Sequence, residues 1–311
     1  MSNLTDLLQS IRSNPGYTLM RGVARFDTAR SVVAGWRRQL HSQQTAAFLR
    51  DCESRLGESV FQSVDRGRIV TQLREKGVAL GVNLPGDLVE QIKAYTTVNP
   101  CFADRKPELG FRLEDRLLAQ ERLGKPILVA QYFNTQERCA AVGRLLRDPV
   151  LQWIAARYLE SVPTFVGANL WWTFPVQALE SDRHRHAHLY HRDVDDFRFF
   201  KFFFYLTPVK QSDGAHVCVI ASHLKPPLIR AGDRWKLRRY SDAEIESFFG
   251  AEQILEICGP AGSGFAENTL CLHKGRTPTE GARLLLQLQF ALFDYGVMHD
   301  RRDASALQMI V

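Results

Sequence analysis

The hydrophobic pattern of the chain changes character about halfway along. In the first 75 residues, apolar residues recur at helical spacing with charged residues between them, as in DTARSVVAGWRRQLHSQQTAAFLRDCESRL. From Thr164 onward the pattern consists of short aromatic and branched runs separated by turn residues. The predicted strands are TFVGANLWWTFPVQ, DFRFFKFFFYLTPV, AHVCVIAS, ILEICG, NTLCLH and RLLLQLQFALFDY. Helices followed by antiparallel strands predict an α+β fold, in which a barrel or double-sheet jelly roll carries the helices on its outside.

Local signals add detail between these two regions. The stretch REKGVALGVNLPGDLVEQIKAYTTV predicts a short strand, a turn and a helix. A further helix is predicted to begin at Asn134 as its N-cap, because Glu137 follows three residues later. The next begins at Asp148, with Pro149 in its first turn. We therefore divide the chain into a helical N-terminal segment, residues 1–72, and a strand-rich core, residues 73–311.

Composition is that of a soluble globular protein. Of 311 residues, 45% are hydrophobic and 24% are charged, and no apolar run approaches the roughly 20 residues that a membrane helix needs. The N-terminus lacks the basic start and apolar block of a secretory signal. The six cysteines are scattered without a CxxC motif, which is typical of reduced thiols. We expect a cytoplasmic protein without a membrane partner.

The formal net charge of +6 is spread along the chain. It forms neither a basic tail nor a basic and aromatic repeat, so a solvated basic surface explains it better than binding to nucleic acid.

Candidate metal ligands occur at the ends of predicted strands. On an extended strand, His191 and Asp193 point the same way and Arg192 points away. This HxD pair alone is equally typical of a polar strand end. His273, at the end of another predicted strand 82 residues later, supplies a third ligand. Two histidines and one carboxylate on one face of a metal leave three positions open, as in the facial triad of ferrous oxygenases.

The last predicted strand carries polar side chains on one face. Alternation places Arg283, Leu285, Gln287 and Gln289 together. Burial of these polar groups without partners would be costly, whereas a cavity holding an anionic ligand would satisfy them. An arginine fork matches a carboxylate in such a cavity.

Taken in order, these motifs resemble the phytanoyl-CoA dioxygenase-like family of iron(II)/2-oxoglutarate oxygenases. The residues that carry the resemblance are HRD (191–193), FFFYLTPVKQSDGAHVCVIASH (202–223), LHKG (272–275) and Arg283. The resemblance covers residues 74–295. It departs at two turns, where this chain has Gly214-Ala215 and Ala221-Ser222-His223 in place of the family's common Gly-Pro and Gly-Ser-His.

The resemblance implies a fold, an activity and a ligand set. The fold would be a double-stranded β-helix, a cupin-like jelly roll. The catalytic iron(II) would be bound by His191, Asp193 and His273, and Arg283 would pair with the C5 carboxylate of 2-oxoglutarate. With O2 as cosubstrate, the enzyme would hydroxylate an unactivated C–H bond, or carry out another oxidation, and release succinate and CO2.

Further residues are predicted to contact the cosubstrate or the substrate. Lys201 either binds 2-oxoglutarate or extends to solvent. Asn169, Trp171 and Thr173 share a strand face that would line the pocket, although core packing explains the tryptophan equally well. The predicted substrate contacts are His188, Gln287, Gln289, Arg234, Arg238 and Arg239.

The three arginines of this set belong to a basic loop, which ends where Ser241 and Glu244 form a capping box. The loop would attract a small anionic or carrier-linked organic substrate, or it is only a solvated surface.

Two other functions stay open on the sequence alone. The alternating His184, His186 and His188, in a cluster that spans residues 184–193, suit a zinc-dependent hydrolase, although histidines that touch the substrate or support the metal ligands, or plain surface histidines, explain them as well. Asp195 and Asp196 are alternative carboxylate ligands, with less favourable spacing. A non-enzymatic, cupin-like binding protein would keep the barrel without iron chemistry.

Overall fold

A computed structural model describes residues 14–177, 188–224, 238–298 and 300–311. Within these ranges, helices come first, up to residue 75. Helices and strands then alternate up to residue 159, and strands predominate in the rest of the chain. The α-helices are α1 (Pro15–Val23), α2 (Asp27–Leu40), α3 (Ser42–Ser54), α4 (Arg66–Glu75), α5 (Gly86–Val98), α6 (Arg116–Leu123), α7 (Thr135–Arg138), α8 (Ala140–Leu146), α9 (Pro149–Leu159) and α10 (Asp242–Phe249).

The strands form two antiparallel sheets. They are β1 (Val78–Leu80), β2 (Cys101–Ala103), β3 (Gly110–Phe111), β4 (Val129–Tyr132), β5 (Thr164–Thr173), β6 (Phe199–Tyr205), β7 (His216–Val219), β8 (Ile254–Ile257), β9 (Gly264–Glu267), β10 (His273–Gly275) and β11 (Arg283–Ala291). The large sheet has the order β1-β9-β6-β11-β5-β4-β2-β3, and the small sheet has the order β10-β7-β8. The prediction of an α+β fold with antiparallel strands is confirmed.

Alternation along the central strands gives the large sheet two different faces. One face packs on the helices through Phe200, Phe202, Phe204, Leu284, Leu286 and Leu288, together with Ile69, Leu73, Leu151 and Ile154. The other face meets the small sheet through Phe203, Tyr205, Phe265 and Leu285, together with Cys218 and Ile257. The polar residues of β11 lie on this second face, because strand side chains point to opposite faces in turn.

The N-terminal helices share the main core. Helices α3 and α4 pack against α9, and α4 also packs against β1. Phe61 stacks on Phe204 of β6, with ring centroids 6.1 Å apart. Helix α4 runs through residue 75, across the predicted boundary at residue 72. That boundary stays a prediction.

Most local predictions hold, including the caps at Asp148 and Ser241. A helix does begin after Asn134, which holds the N-cap position as predicted, but this residue has a φ of 57° and its side chain makes no capping hydrogen bond. Its amide instead binds the backbone N–H and C=O of Arg302. The NTLCLH strand is also shifted, since β10 begins at His273 rather than ending there.

Two general properties of the described residues complete the fold. The cysteines form no disulfide, and all except Cys258 are buried. No described helix combines the length and the apolar character that crossing a membrane requires.

Candidate metal centre and its cavity

His191 and His273 are paired directly through their backbones. Each N–H donates to the C=O of the other at 3.0 Å, as an isolated antiparallel bridge. The HRD segment is therefore held by bridges at Tyr190 and His191 rather than by a continuous strand, as the sequence had suggested. Asp193 is fixed separately, by its N–H donating to the C=O of Thr269 at 2.9 Å. Arg192 points away, as predicted, and donates to the C=O of Ser222.

The backbone also fixes the tautomer of both imidazoles. Nδ1 of His191 lies 2.9 Å from the C=O of Leu189, and Nδ1 of His273 lies 2.9 Å from the C=O of Cys271. A carbonyl only accepts hydrogen bonds, so each Nδ1 carries a proton, and in the neutral form of the ring Nε2 is the nitrogen with the free lone pair. Burial, followed by His273, lowers the pKa of His191 to about 3, which keeps that ring neutral and able to bind a cation.

The Nε2 atoms of both histidines face the carboxylate of Asp193. Nε2 of His191 lies 3.7 Å from Oδ1 of Asp193, and Nε2 of His273 lies 3.6 Å from its Oδ2. Ligand atoms from all three residues lie within 4.8 Å of one another, close enough to bind a single ion. Two imidazole nitrogens and one carboxylate are the donor set of a facial triad.

Lys201 lies beside this triad. Its Nζ is 2.6 Å from Oδ2 of Asp193 and 3.3 Å from Oδ2 of Asp195. Burial alone would lower the pKa of Lys201, but the two aspartates raise it above its usual value. Burial would likewise raise the pKa of Asp193, but Lys201 and the two histidines hold it well below its usual range. The alternative that Lys201 extends to solvent is wrong, because the residue is only 7% exposed.

A cavity of about 400 Å³ opens next to the triad between the two sheets. Its polar lining includes Gln287 and Gln289 of β11, Asn169 and Thr173 of β5, and His188. Its apolar lining is Trp171, Phe203 and Leu285. The polar residues of this lining, which the sequence had predicted, are thus brought together with the triad in one cavity.

Arg283 is buried in the same cavity, 3% exposed. Its guanidinium donates to the C=O of Gly214 and to Oγ1 of Thr173, while its Nε has no hydrogen-bond partner. Among the described residues, no carboxylate forms an ion pair with it. A buried cation is costly without an anion, so this group is suited to receive an anionic ligand.

Three solved structures are similar to part of this chain at low sequence identity. AviO1 from Streptomyces viridochromogenes Tue57 is 15% identical, with a TM-score of 0.48 over 73% of this chain and 95% of its own. HygX from Streptomyces hygroscopicus, with nickel, 2-oxoglutarate and hygromycin B bound, is 14% identical, with a TM-score of 0.48 over 73% of this chain and 87% of its own. The non-heme alpha ketoglutarate dependent epimerase SnoN from nogalamycin biosynthesis is 15% identical, with a TM-score of 0.44 over 72% of this chain and 81% of its own. HygX was thus solved with 2-oxoglutarate bound, and SnoN is described as alpha ketoglutarate dependent. No protein-family model and no curated protein matches the chain.

Of the remaining predicted residues, only some line the cavity. Arg239 lines the cavity. Arg238 does not, because its guanidinium pairs with Glu244 and lies over the ring of Tyr240, so we do not retain it as a substrate contact. Arg234, His184 and His186 lie outside the described residues. His188 contacts Oγ1 of Thr277 through Nδ1 at 2.8 Å and does not join the triad.

The alternative carboxylates are engaged elsewhere. Asp195 lines the cavity but binds Lys201 and Nε2 of Gln289. Asp196 is buried and accepts hydrogen bonds from the N–H groups of Phe197, Leu292 and Phe293. Neither belongs to the group of described residues that could hold a metal.

Sequence analysis missed four polar cavity residues: Arg105, Gln131, His216 and Arg302. Gln131 donates to Oδ1 of Asn169 at 3.1 Å. His216 lies below His273 with ring centroids 5.6 Å apart, and its Nε2 is 2.6 Å from Oε2 of buried Glu267. For Gln131 and His216 the signal was available, because strand alternation places them on the cavity face. Arg105 and Arg302 lie on loops, where no periodicity indicates direction.

Proposed function

We propose that this chain is an iron(II)- and 2-oxoglutarate-dependent dioxygenase that hydroxylates an unactivated C–H bond of a small organic substrate. The observation that carries the proposal is the conjunction of a two-histidine, one-carboxylate cluster with a buried arginine in the same cavity. The arginine has no described anionic partner, although burial makes one necessary.

The residues that line the cavity fit both iron(II) and 2-oxoglutarate. His191, Asp193 and His273 would hold the iron, because the backbone contact at each Nδ1 leaves Nε2 facing the carboxylate of Asp193, whose pKa is held well below its usual range. Arg283 would bind the distal carboxylate of 2-oxoglutarate, helped by Thr173 Oγ1, 3.4 Å from the guanidinium. Gly275 leaves the necessary space, since a Cβ there would lie 3.2 Å from Nη2 of Arg283.

When bound, iron and 2-oxoglutarate supply the oxidant that removes hydrogen from carbon. The chain itself contributes position and an apolar wall. Trp171, Phe203 and Leu285 would form an apolar side of the cavity against which the substrate could pack. Lys201 holds Asp193 in its ionised form, while Asn169, Gln287 and Gln289 offer polar contacts to the ligands.

The proposal extends to the fold. Two antiparallel sheets that face each other across the cavity support a double-stranded β-helix core, in which the triad lies at the open end. Residues 1–72 would be a helical addition to that core.

The test is succinate formation from 2-oxoglutarate by the purified chain, with and without ferrous iron. We expect iron-dependent turnover in the wild type and none in His273→Ala. The matched control is His223→Ala, because His223 lies away from the cavity and contacts Cys271. Arg283→Gln should keep metal binding and raise the KM for 2-oxoglutarate at least tenfold, since it removes a charged partner.

The other functions predict different results. Tight zinc binding with hydrolytic turnover would indicate the zinc hydrolase. A binding protein would show neither succinate nor hydrolysis. Full activity of His273→Ala would remove that residue from the site.

A further inference from the structure

The cavity has more positive charge than its proposed ligands require. Its described lining has five cationic side chains, Arg105, Lys201, Arg239, Arg283 and Arg302, and two carboxylates, Asp193 and Asp195. Lys201 is already paired with both aspartates. A divalent metal and doubly charged 2-oxoglutarate would cancel each other in charge, so Arg105 and Arg239, which have no carboxylate partner among the described residues, would keep their positive charge available in the loaded site.

Arg105 is held toward this cavity by an unfavourable backbone. Asp104 and Arg105 have φ values of 55° and 61°, so two consecutive non-glycine residues are left-handed. Such residues persist only where the surroundings hold them, and they cluster at functional sites. Here the N–H of Asp104 donates to the C=O of Val129 at 2.9 Å, and its buried carboxylate pairs with Lys125.

The strained turn presents the Arg105 side chain at the opening of the cavity. The residue is exposed, and its guanidinium lies over the ring of Trp171, 5.4 Å from the centroid. No carboxylate forms an ion pair with it among the described residues. A cation that stacks on the cavity wall keeps its hydrogen-bond donors available to a ligand.

Arg239 also lines this cavity. It lies two residues before Ser241, the N-cap residue of α10. It is half-buried, and its Nη1 is buried without a hydrogen-bond partner. Its neighbour Arg238 turns outward to Glu244, so the two adjacent arginines have different environments. An orphaned guanidinium nitrogen beside the metal centre is a second donor for an anion.

We propose that Arg105 and Arg239 bind an anionic group of the substrate, a carboxylate or a phosphate, and thereby present its neutral part to the metal centre. This inference rests on the proposed function and deepens it, since it makes the substrate an organic acid. The cavity volume of about 400 Å³ suits a small molecule. Arg283 is reserved for 2-oxoglutarate, so the two anions bind at different arginines.

The experiment uses the full chain loaded with nickel(II) and 2-oxoglutarate and measures binding by calorimetry. The probes are benzoate and phenyl phosphate, with benzamide as the uncharged counterpart of benzoate. We expect the wild type to bind at least one of the two anions and to bind benzamide at least tenfold more weakly. Whichever anion binds more tightly identifies the anionic group that the site prefers.

Variants locate the binding. Arg239→Gln and Arg105→Gly should each weaken anion binding at least tenfold and leave the affinity for 2-oxoglutarate within twofold of the wild type. Glycine is chosen because it adopts a φ of 61° without strain, so the melting temperature of Arg105→Gly should not fall. Arg238→Gln is the matched control and should bind the anions like the wild type.

The outcomes separate the two proposals. Wild-type affinity of both variants, competition of the probes with 2-oxoglutarate, or equal binding of benzamide would overturn the arginine site and leave the oxygenase proposal intact. Failure to bind 2-oxoglutarate, with anion binding still dependent on Arg105 and Arg239, would overturn the oxygenase proposal and support the anion site.

Discussion

At the scale of single residues, Lys201 is expected to affect both the free energy of unfolding and the binding of metal. Its replacement by Met would leave Asp193 and Asp195 together without a cation. Loss of one partner from a buried ion pair costs about 3–5 kcal/mol, so the metal-free Lys201→Met variant should be destabilised by an amount of that order. Nickel(II) should restore part of the loss, because a divalent cation replaces the missing charge.

Urea unfolding of Lys201→Met, with and without nickel(II), tests this expectation. The metal should stabilise the variant more than it stabilises the wild type. Lys76→Met is the control, since Lys76 is exposed at the end of α4. An identical metal effect in Lys201→Met and the wild type would show that Lys201 does not act on the ligand carboxylate.

Gly275 controls the space around Arg283. Even a methyl group there would lie 3.2 Å from Nη2 of Arg283, so the larger side chain of Gly275→Val must displace the guanidinium. We expect the affinity for 2-oxoglutarate to fall at least tenfold while nickel(II) affinity is kept. Calorimetry with each ligand separately measures both. Unchanged 2-oxoglutarate binding would place its carboxylate away from Arg283.

At the scale of elements, Asp196 fastens the segment before β6 to the end of β11. Burial raises the pKa of this carboxyl to about 7, against the opposing effect of three backbone N–H donors. Because the folded pKa lies above the ordinary 3.8, the stabilising contribution is complete below pH 3.8 and is lost as the pH rises through about 7.

The free energy of unfolding of the wild type, minus that of Asp196→Asn, should therefore fall between pH 5 and 7 by at most about 1.4 kcal/mol per pH unit. Urea titrations of both proteins at several pH values measure the difference. Asparagine does not titrate, so it serves as the reference for all other groups. A difference that rises with pH would show that the three N–H donors outweigh burial.

The sequence predicts elements and faces well where a strict period operates. Strand β11 is long enough for alternation to place Arg283, Gln287 and Gln289 on one face, and all three line the cavity. Asn134 takes the predicted N-cap position, but its side chain does not cap the helix because its amide binds Arg302, which is distant in the chain and which no local signal reveals. Arg105 was missed for the same reason, since a tertiary ion pair at Asp104 orients its turn.

At the scale of the whole molecule, the N-terminal segment contributes to the common core. Phe61, Ile69 and Val70 belong to the main cluster of buried residues, so deletion of residues 1–72 would expose the helix-facing side of the large sheet. We expect the deleted protein to be insoluble. As a milder change, Phe61→Ala should cost about 3–5 kcal/mol in the free energy of unfolding.

Denaturant unfolding measures this cost. Trp36→Ala is the control, because Trp36 is 59% exposed and should change stability little. A soluble, cooperatively folded fragment 73–311 would instead show that the core is independent of the helices.

The backbone bridge between His191 and His273 has a consequence for the order of folding. These residues are 82 positions apart, so their pairing requires a large loop to close and the two sheets to meet. We therefore expect the ligands to converge late in folding, after the transition state. A bound metal ion should therefore stabilise the folded state without stabilising the transition state. In stopped-flow experiments, nickel(II) should slow the unfolding rate and leave the refolding rate nearly unchanged.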